Sequence, residues 1–288
     1  PFLGLLGIQE KIINWETIIE DFGFFQLNEE GRKYRGWKEE GHGIVNLKKA
    51  LVESSDVYFY DLSTKLSVER IYQFLYQFGF GQKLGIDVYG ESQGVLPSRK
   101  WKLGVVGEPW FVGDNLNLGI GQGYINSTPL QLAVAVSAIA NRGKVFQPRV
   151  VEKIDSEFTS ARILHEIKLS KQEDWEKLEN SMISVIDLWN GTAHNLFEEN
   201  QIKIAGKTGT AQLKSLFESE LSAKEEYEEI RVEEKSRDHA LFVSYGPVPN
   251  PSLTVVVIVE NGESGSAVAA PIAKKLITSY SSRKAPDV

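Results

Sequence analysis

No cysteine occurs among the 288 residues, so the chain has neither a disulfide framework nor a thiolate metal site. The redox compartment stays open. Histidine occurs four times, and no two histidines have metal-ligand spacing. No apolar run is long enough to span a bilayer. The opening PFLGLLGI is closed early by Gln9, Glu10 and Lys11, and without a basic leader it makes a poor signal peptide. It reads as part of a buried helix in a chain cut from something longer. A basic surplus is also missing. Lys and Arg number 32 against 39 Asp and Glu, a formal charge of -7, which argues against nucleic acid as a partner. The 42% hydrophobic and 25% charged residues are those of a soluble globular protein, with chain enough for one large core or two modest ones.

No internal repeat is visible. The apolar spacing of Leu47, Leu51, Val57 or Phe59, and Leu62 is helical, and Ser54-Ser55 interrupts it as polar residues do between two helices. A helix over 68–81 ends at Gly79 or Gly81. From 83 to 127 the chain is rich in Gly, Pro and Trp without sustained periodicity, and long ordered loops are expected. At 127–144 the signals agree: Thr128 as N-cap, Pro129 at the first helical position, Gln131 completing a capping box and Gly143 as the stop. A helix over 171–197 ends near NGTAH at 190–194, followed by a strand over 202–213, a charged insert over 214–238, strands over 239–248 and 253–262, and a helix over 266–282. Strands grouped in this way predict an antiparallel sheet with helices on its faces, an α/β (α+β) architecture.

Two short stretches carry chemistry. Lys207-Thr208-Gly209 offers a fixed cation and a hydroxyl donor for a substrate carboxylate. Gly209 permits close approach of a ligand backbone, and the Thr210 N–H can face a developing oxyanion. A strand that merely contains these residues is the plain alternative. In Ser54-Ser55-Asp56 a hydroxyl and a carboxylate two positions apart at a helix break can point into one cleft, the hydroxyl relaying a proton. Ordinary capping is the plain alternative there.

Together the two stretches follow the order of S-x-x-K, S-D-N and K-T-G in β-lactamases and penicillin-binding proteins. The runs 34–60, 78–102 and 113–143, with its Gly-Gln-Gly lead, and NGTAH before K-T-G, extend the likeness over nearly the whole chain. The sequence resembles the transpeptidase domain of class B penicillin-binding proteins of the elongation type. Asp56 stands where many relatives carry Asn. A carboxylate there pairs with active-site lysines more strongly than an amide. No S-x-x-K motif sits in a suitable place, because Ser281 to Lys284 lies in the polar tail, after K-T-G. In relatives that lysine is followed by Pro and an apolar helix, as at Pro1-Phe2-Leu3. The resemblance therefore implies a nucleophilic serine and lysine just upstream of Pro1. Residues 1–288 would then be an N-terminally incomplete transpeptidase domain, with an unpaired sheet edge and no acylation by penicillin on its own.

The resemblance implies a D,D-transpeptidase that acts on peptidoglycan stem peptides, is acylated by β-lactams, and uses no cofactor. Ser54 would relay the proton, Asp56 would orient the lysines, and Lys207, Thr208 and Thr210 would hold the terminal carboxylate and the oxyanion. It further implies a periplasmic location on an inner-membrane anchor, with a lipid-linked glycan polymerase and rod-shape scaffold proteins as partners. Some relatives hold a metal with Asp, Asp, His and Cys. Asp21 and His42 match two of these, but Gly36 and Ser55 stand at the others, so no metal is expected. Trp37, Trp101 and Trp110 are candidates for the cleft rim, Trp37 being the best placed to touch ligand. His239 is expected to be structural. The insert 214–238 joins the K-T-G strand to the next and is a candidate gate. The alternatives are a non-enzymatic module, either a penicillin-recognising sensor domain or a binding scaffold with a lost site, and, among enzymes, a class D β-lactamase or a D,D-carboxypeptidase. The long loops between Ser54 and Lys207 favour the transpeptidase.

Overall fold

The computed structural model describes residues 1–194, 196, 202–211 and 237–284. Most of the insert 214–238 lies outside the described residues. The chain opens with α1 (Phe2–Gln9), whose Leu3, Leu5 and Leu6 are buried. A ribbon pairs β1 (Ile18–Asp21) antiparallel with β4 (Gly43–Asn46), and a small hairpin joins β2 (Phe24–Gln26) to β3 (Lys33–Arg35). Next come α2 (Leu47–Glu53), α3 (Asp56–Thr64) and α4 (Val68–Gln77), each begun by a side chain that accepts a backbone N–H, from Asn46, Ser55 and Ser67.

The segment 83–127 corrects the expectation of loops. It holds α5 (Arg99–Val105), capped by Ser98, and α6 (Val112–Gly119). Each makes only about two turns, too short for a periodic apolar pattern to show. Their stability comes from tertiary contacts. The Lys102 ammonium donates to Asp114 Oδ2 at 2.7 Å, and Gly119 sits so close to α3 that a Cβ there would meet Ser63 at 2.7 Å.

Next come α7 (Pro129–Ala140) and the short pairs β5 (Lys144–Phe146) with β8 (Ile163–Glu166) and β6 (Lys153–Ile154) with β7 (Glu157–Phe158). Then follow α8 (Glu173–Asp187), β9 (Ala205–Ala211), β10 (His239–Gly246) and β11 (Leu253–Val259). A π-helical turn, Gly265–Ala269, leads into α9 (Ala270–Lys284). The three strands form one antiparallel sheet ordered β11, β10, β9, with Lys207 opposite Val243 and Thr208 opposite Phe242. Side chains alternate across it. Val243 and Tyr245 join the large core with α1, α2, α7 and Trp175 of α8. Ala240 and Phe242 join the smaller core with Ala270, Ala273 and Ile277 of α9. Helices on both faces leave β9 as a sheet edge, and Lys207 faces the core that contains α2.

In α7 the expected capping box is present. Thr128 Oγ1 accepts the Gln131 N–H at 3.1 Å and Gln131 Oε1 accepts the Thr128 N–H at 3.0 Å. The buried Gln131 amide also donates to the carbonyls of Gln82 and Gln93, at 2.9 and 2.8 Å, which ties down the long loop. Thr128→Ala should cost about 1 kcal/mol by removing one cap. Gln131→Ala should cost more, roughly 2 kcal/mol or above, because it leaves several polar groups without partners. Urea unfolding of both variants checks the ranking.

Candidate active site

The site begins at a backbone break. α2 ends on Ser54, held at φ 57 and ψ 47, a left-handed conformation costly for any residue with a Cβ. The chain therefore turns sharply. Ser55 becomes the N-cap of α3, its hydroxyl accepting the Tyr58 N–H at 3.3 Å. The capping reading is thus correct for Ser55, while the Ser54 hydroxyl points elsewhere. Lys207 Nζ donates to Ser54 Oγ at 2.9 Å and to the Thr208 carbonyl at 3.1 Å. Residues 153 positions apart meet because α8 packs against both α2 and β9.

The stretch 190–194 stitches that junction. The Thr192 N–H donates to the Val52 carbonyl at 3.1 Å, Asn190 Nδ2 donates to Glu53 Oε1 at 2.5 Å, and the hydroxyls of Thr192 and Thr208 share a hydrogen bond of 2.7 Å. Gly191 lets the turn close, since a Cβ there would lie 2.2 Å from the Val185 carbonyl oxygen.

Asp56 opens α3 beside Ser54. Burial pushes its carboxyl up to about 6, opposed by the Trp37 N–H on its Oδ2 at 3.1 Å and by the charge of Lys207. Burial likewise pushes the Lys207 ammonium down to about 8, opposed by Asp56. At neutral pH both groups are mainly charged, and each acts on the other through its charge without a direct contact. The start of α1 reaches the same place. Pro1, at the start of α1, lies within electrostatic reach of Lys207.

The outer edge of β9 faces this cleft. The carbonyl of Thr210 accepts Gln122 Nε2 at 2.6 Å, on the side away from β10. In an extended strand the N–H and C=O of one residue share a side, so the Thr210 N–H also faces outward. Gly209 has a packing duty as well. Its own Cβ would press on Leu241 at 3.1 Å, and Gly265 approaches so closely that a Cβ there would meet the Gly209 carbonyl oxygen at 2.6 Å.

Of the three rim candidates, Trp37 is 61% exposed, and its indole N–H donates to the carbonyls of Glu53 and Ser54 at 3.2 and 2.9 Å. It clamps the α2–α3 junction while most of its surface stays exposed. Trp101 packs on Tyr124, and Trp110 donates to Asn115. His239 Nδ1 accepts the Asn261 N–H, a structural contact.

Asp21 and His42 lie together and buried, but the donor set does not fit a four-ligand ion. Asp21 Oδ2 already accepts His42 Nδ1 at 2.8 Å and the Ser55 hydroxyl at 2.6 Å, and its Oδ1 accepts the Gly23 N–H at 2.8 Å. Gly36 brings no side chain. Burial alone raises the Asp21 carboxyl, but hydrogen bonds from Ser55, Gly23 and His42 outweigh it and hold the group below the usual carboxylate range. The structure brings together Ser54, Asp56, Lys207, Thr208 and Trp37, which the sequence singles out; Asp21, His42 and Ser55 are grouped there through the resemblance, but their hydrogen bonds to one another and the roles of Thr192 and Gln122 are not read from sequence. Both of the latter sat in stretches already singled out, NGTAH and the Gly-Gln-Gly lead.

Comparison with known proteins gives the same reading. The penicillin binding protein transpeptidase domain family matches residues 1–278. The peptidoglycan D,D-transpeptidase MrdA of Haemophilus influenzae is 36% identical over 292 residues, covering 100% of this chain and 44% of that protein. That of Acinetobacter baumannii is 38% identical over 274 residues, covering 93% of this chain and 39% of that protein. The chain thus spans less than half the length of these relatives. Among solved structures, Pseudomonas aeruginosa PBP2 in complex with WCK 5153 superimposes with a TM-score of 0.85 at 37% identity, covering 97% of this chain and 59% of the other. Helicobacter pylori PBP2 in complex with MreC gives 0.83 at 30% identity, covering 98% and 48%. The fold agrees with these matches, and the chain belongs to the penicillin-binding protein transpeptidase domain family, beside the PBP2 proteins.

Proposed function

We propose that this chain is the acyl-transfer domain of a peptidoglycan D,D-transpeptidase, acting on stem peptides and acylated by β-lactams. The observation that carries the reading is the hydrogen bond that brings Lys207 of β9 onto Ser54 at the α2–α3 break. In the full-length protein a serine of an S-x-x-K segment ahead of Pro1 attacks the penultimate D-alanine carbonyl, with the lysine of that segment as base. The serine oxygen–carbon bond forms and the peptide bond to the terminal D-alanine breaks. The leaving amine takes the proton, relayed through Ser54. The amine of a second stem peptide then attacks the acyl-enzyme, forming the cross-link and returning the proton to the serine. Lys207, Thr208 and Thr210 hold the terminal carboxylate, and the outward N–H of Thr210 receives the oxyanion. Asp56 keeps Lys207 charged. Trp37 presents its open face to the peptide.

The same reading carries the wider assignment. Because H. pylori PBP2 is seen with MreC, and a peptidoglycan synthase complex is also a structural neighbour at 25% identity, we propose a rod-shape scaffold protein and a lipid-linked glycan polymerase as partners. The domain would lie in the periplasm on an inner-membrane anchor. Among the described residues no helix is long and apolar enough to cross a membrane.

Full-length protein should be labelled covalently by fluorescent penicillin, and residues 1–288 alone should not. In the full-length protein Lys207→Ala should lower the acylation rate by about 100-fold or more, as loss of a transition-state contact does. Unaltered labelling of that variant would contradict the role of Lys207, and an unlabelled full-length protein would favour a non-catalytic binding module. The pH profile gives a second test. Carboxylate binding by Lys207 is lost as pH rises through about 8. Asp56→Asn removes the anion that supports the ammonium, so the alkaline limb of the acylation rate constant over binding constant should move to lower pH. An unmoved limb would separate Asp56 from Lys207.

A further inference from the structure

Ser54 is held in a costly conformation, and the cost must be met by neighbours. The chain leaves it through Ser55, which is fully buried. That hydroxyl has two duties: it accepts the Tyr58 N–H and donates to Asp21 Oδ2, the limit of what a single O–H donor can do while still capping a helix. Asp21 closes β1, where it pairs with Gly43 of β4. β4 runs directly into α2 through the Asn46 cap. The ribbon therefore grips α2 at both ends, at its start through Asn46 and at its end through Asp21 and Ser55. His42, just ahead of β4, donates to the same Asp21 oxygen, and Lys49 of α2 holds the His42 carbonyl at 2.6 Å. Gly41 completes the approach, since a Cβ there would lie 2.1 Å from the Asp21 carbonyl oxygen. Trp37 closes the outer side, its ring edge-on to His42 at 5.6 Å and its indole N–H on the Ser54 carbonyl.

We propose that Asp21, acting through Ser55 and His42, is a positioning residue for Ser54 and Asp56, so that a hydrogen-bonded bracket and not a bound ion fixes this side of the cleft. His42 Nε2 is buried without a partner. It is the one atom of the bracket available to a further ligand, and one donor does not make a metal site. Among the described residues no group of three His, Cys, Asp or Glu converges.

The inference rests on the transpeptidase reading, and its test separates the two. Wild-type full-length protein must first show β-lactam acylation; its absence would defeat that reading, while the melting and metal measurements below would still judge the bracket. Ser55→Ala cuts the link to Asp21. Although it removes no group that touches substrate, it loosens the placement of Ser54 and Asp56, so its acylation rate constant should fall about 10-fold or more. Its binding constant for the β-lactam should stay within about 2-fold, since uniform binding is untouched. Asp21→Asn keeps an acceptor oxygen and should lie between Ser55→Ala and wild type; it also serves should Ser55→Ala fail to fold. A chelator should leave the melting temperature of the wild type unchanged, and elemental analysis should find no stoichiometric zinc. A rate constant that is unchanged while the melting temperature falls would make the bracket merely structural. Stoichiometric zinc, with a melting temperature lowered by chelation, would overturn the bracket as drawn.

Discussion

The cleft depends on one contact, the ammonium of Lys207 on the hydroxyl of Ser54 at 2.9 Å. It joins an edge strand to a helix break, and it places a cation where water is scarce. Desolvation alone would discharge that cation, which is why its pKa falls to about 8. Asp56 opposes the fall at the expense of its own solvation, its carboxyl rising to about 6. Neither group is comfortable, and each is tolerable because of the other. A site of this kind is poised for an anionic ligand. A carboxylate entering it would replace lost solvent around the lysine, and the strand edge would supply N–H groups that cost no reorganisation.

Much of the scaffold exists to hold that contact. α8 lies against both α2 and β9, so the two halves of the site share one support. The turn at Gly191 and Thr192 binds the end of α2 to β9 through hydrogen bonds on both sides. On the far side of α2 the β1–β4 ribbon, Asp21 and Ser55 hold the opposite flank. The left-handed Ser54 sits between these supports. Its strain is small beside the number of groups that over-determine it.

What was legible in the sequence follows from range. Thr128, Pro129 and Gln131 cap α7 by contacts within three residues, and Lys207-Thr208-Gly209 lies on a strand whose neighbours alternate cleanly. Ser54-Ser55 announced a helix break because two polar residues interrupt an apolar stripe. α5 and α6 were not legible. Each is too short for a pattern, and both rely on Lys102 meeting Asp114 and on Gly119 meeting α3. Asp21, His42 and Ser55 are 21 and 34 residues apart and no local rule links them, so only the family resemblance groups them, and it does not show how they bond to one another. The two hydroxyls of Ser54 and Ser55 look alike in a string of letters. Only the backbone turn decides that one faces the lysine and the other the buried carboxylate.

The central claim is that Lys207, Ser54 and the residue ahead of α1 share one reaction centre. A crystal structure of the full-length protein after reaction with a β-lactam tests it most directly. The account predicts an ester on a serine of the turn that precedes Pro1, with the drug carboxylate on Lys207, Thr208 and Thr210 and the acyl oxygen on the Thr210 N–H. Drug bonded at another surface, or a carboxylate far from the edge of β9, would contradict it.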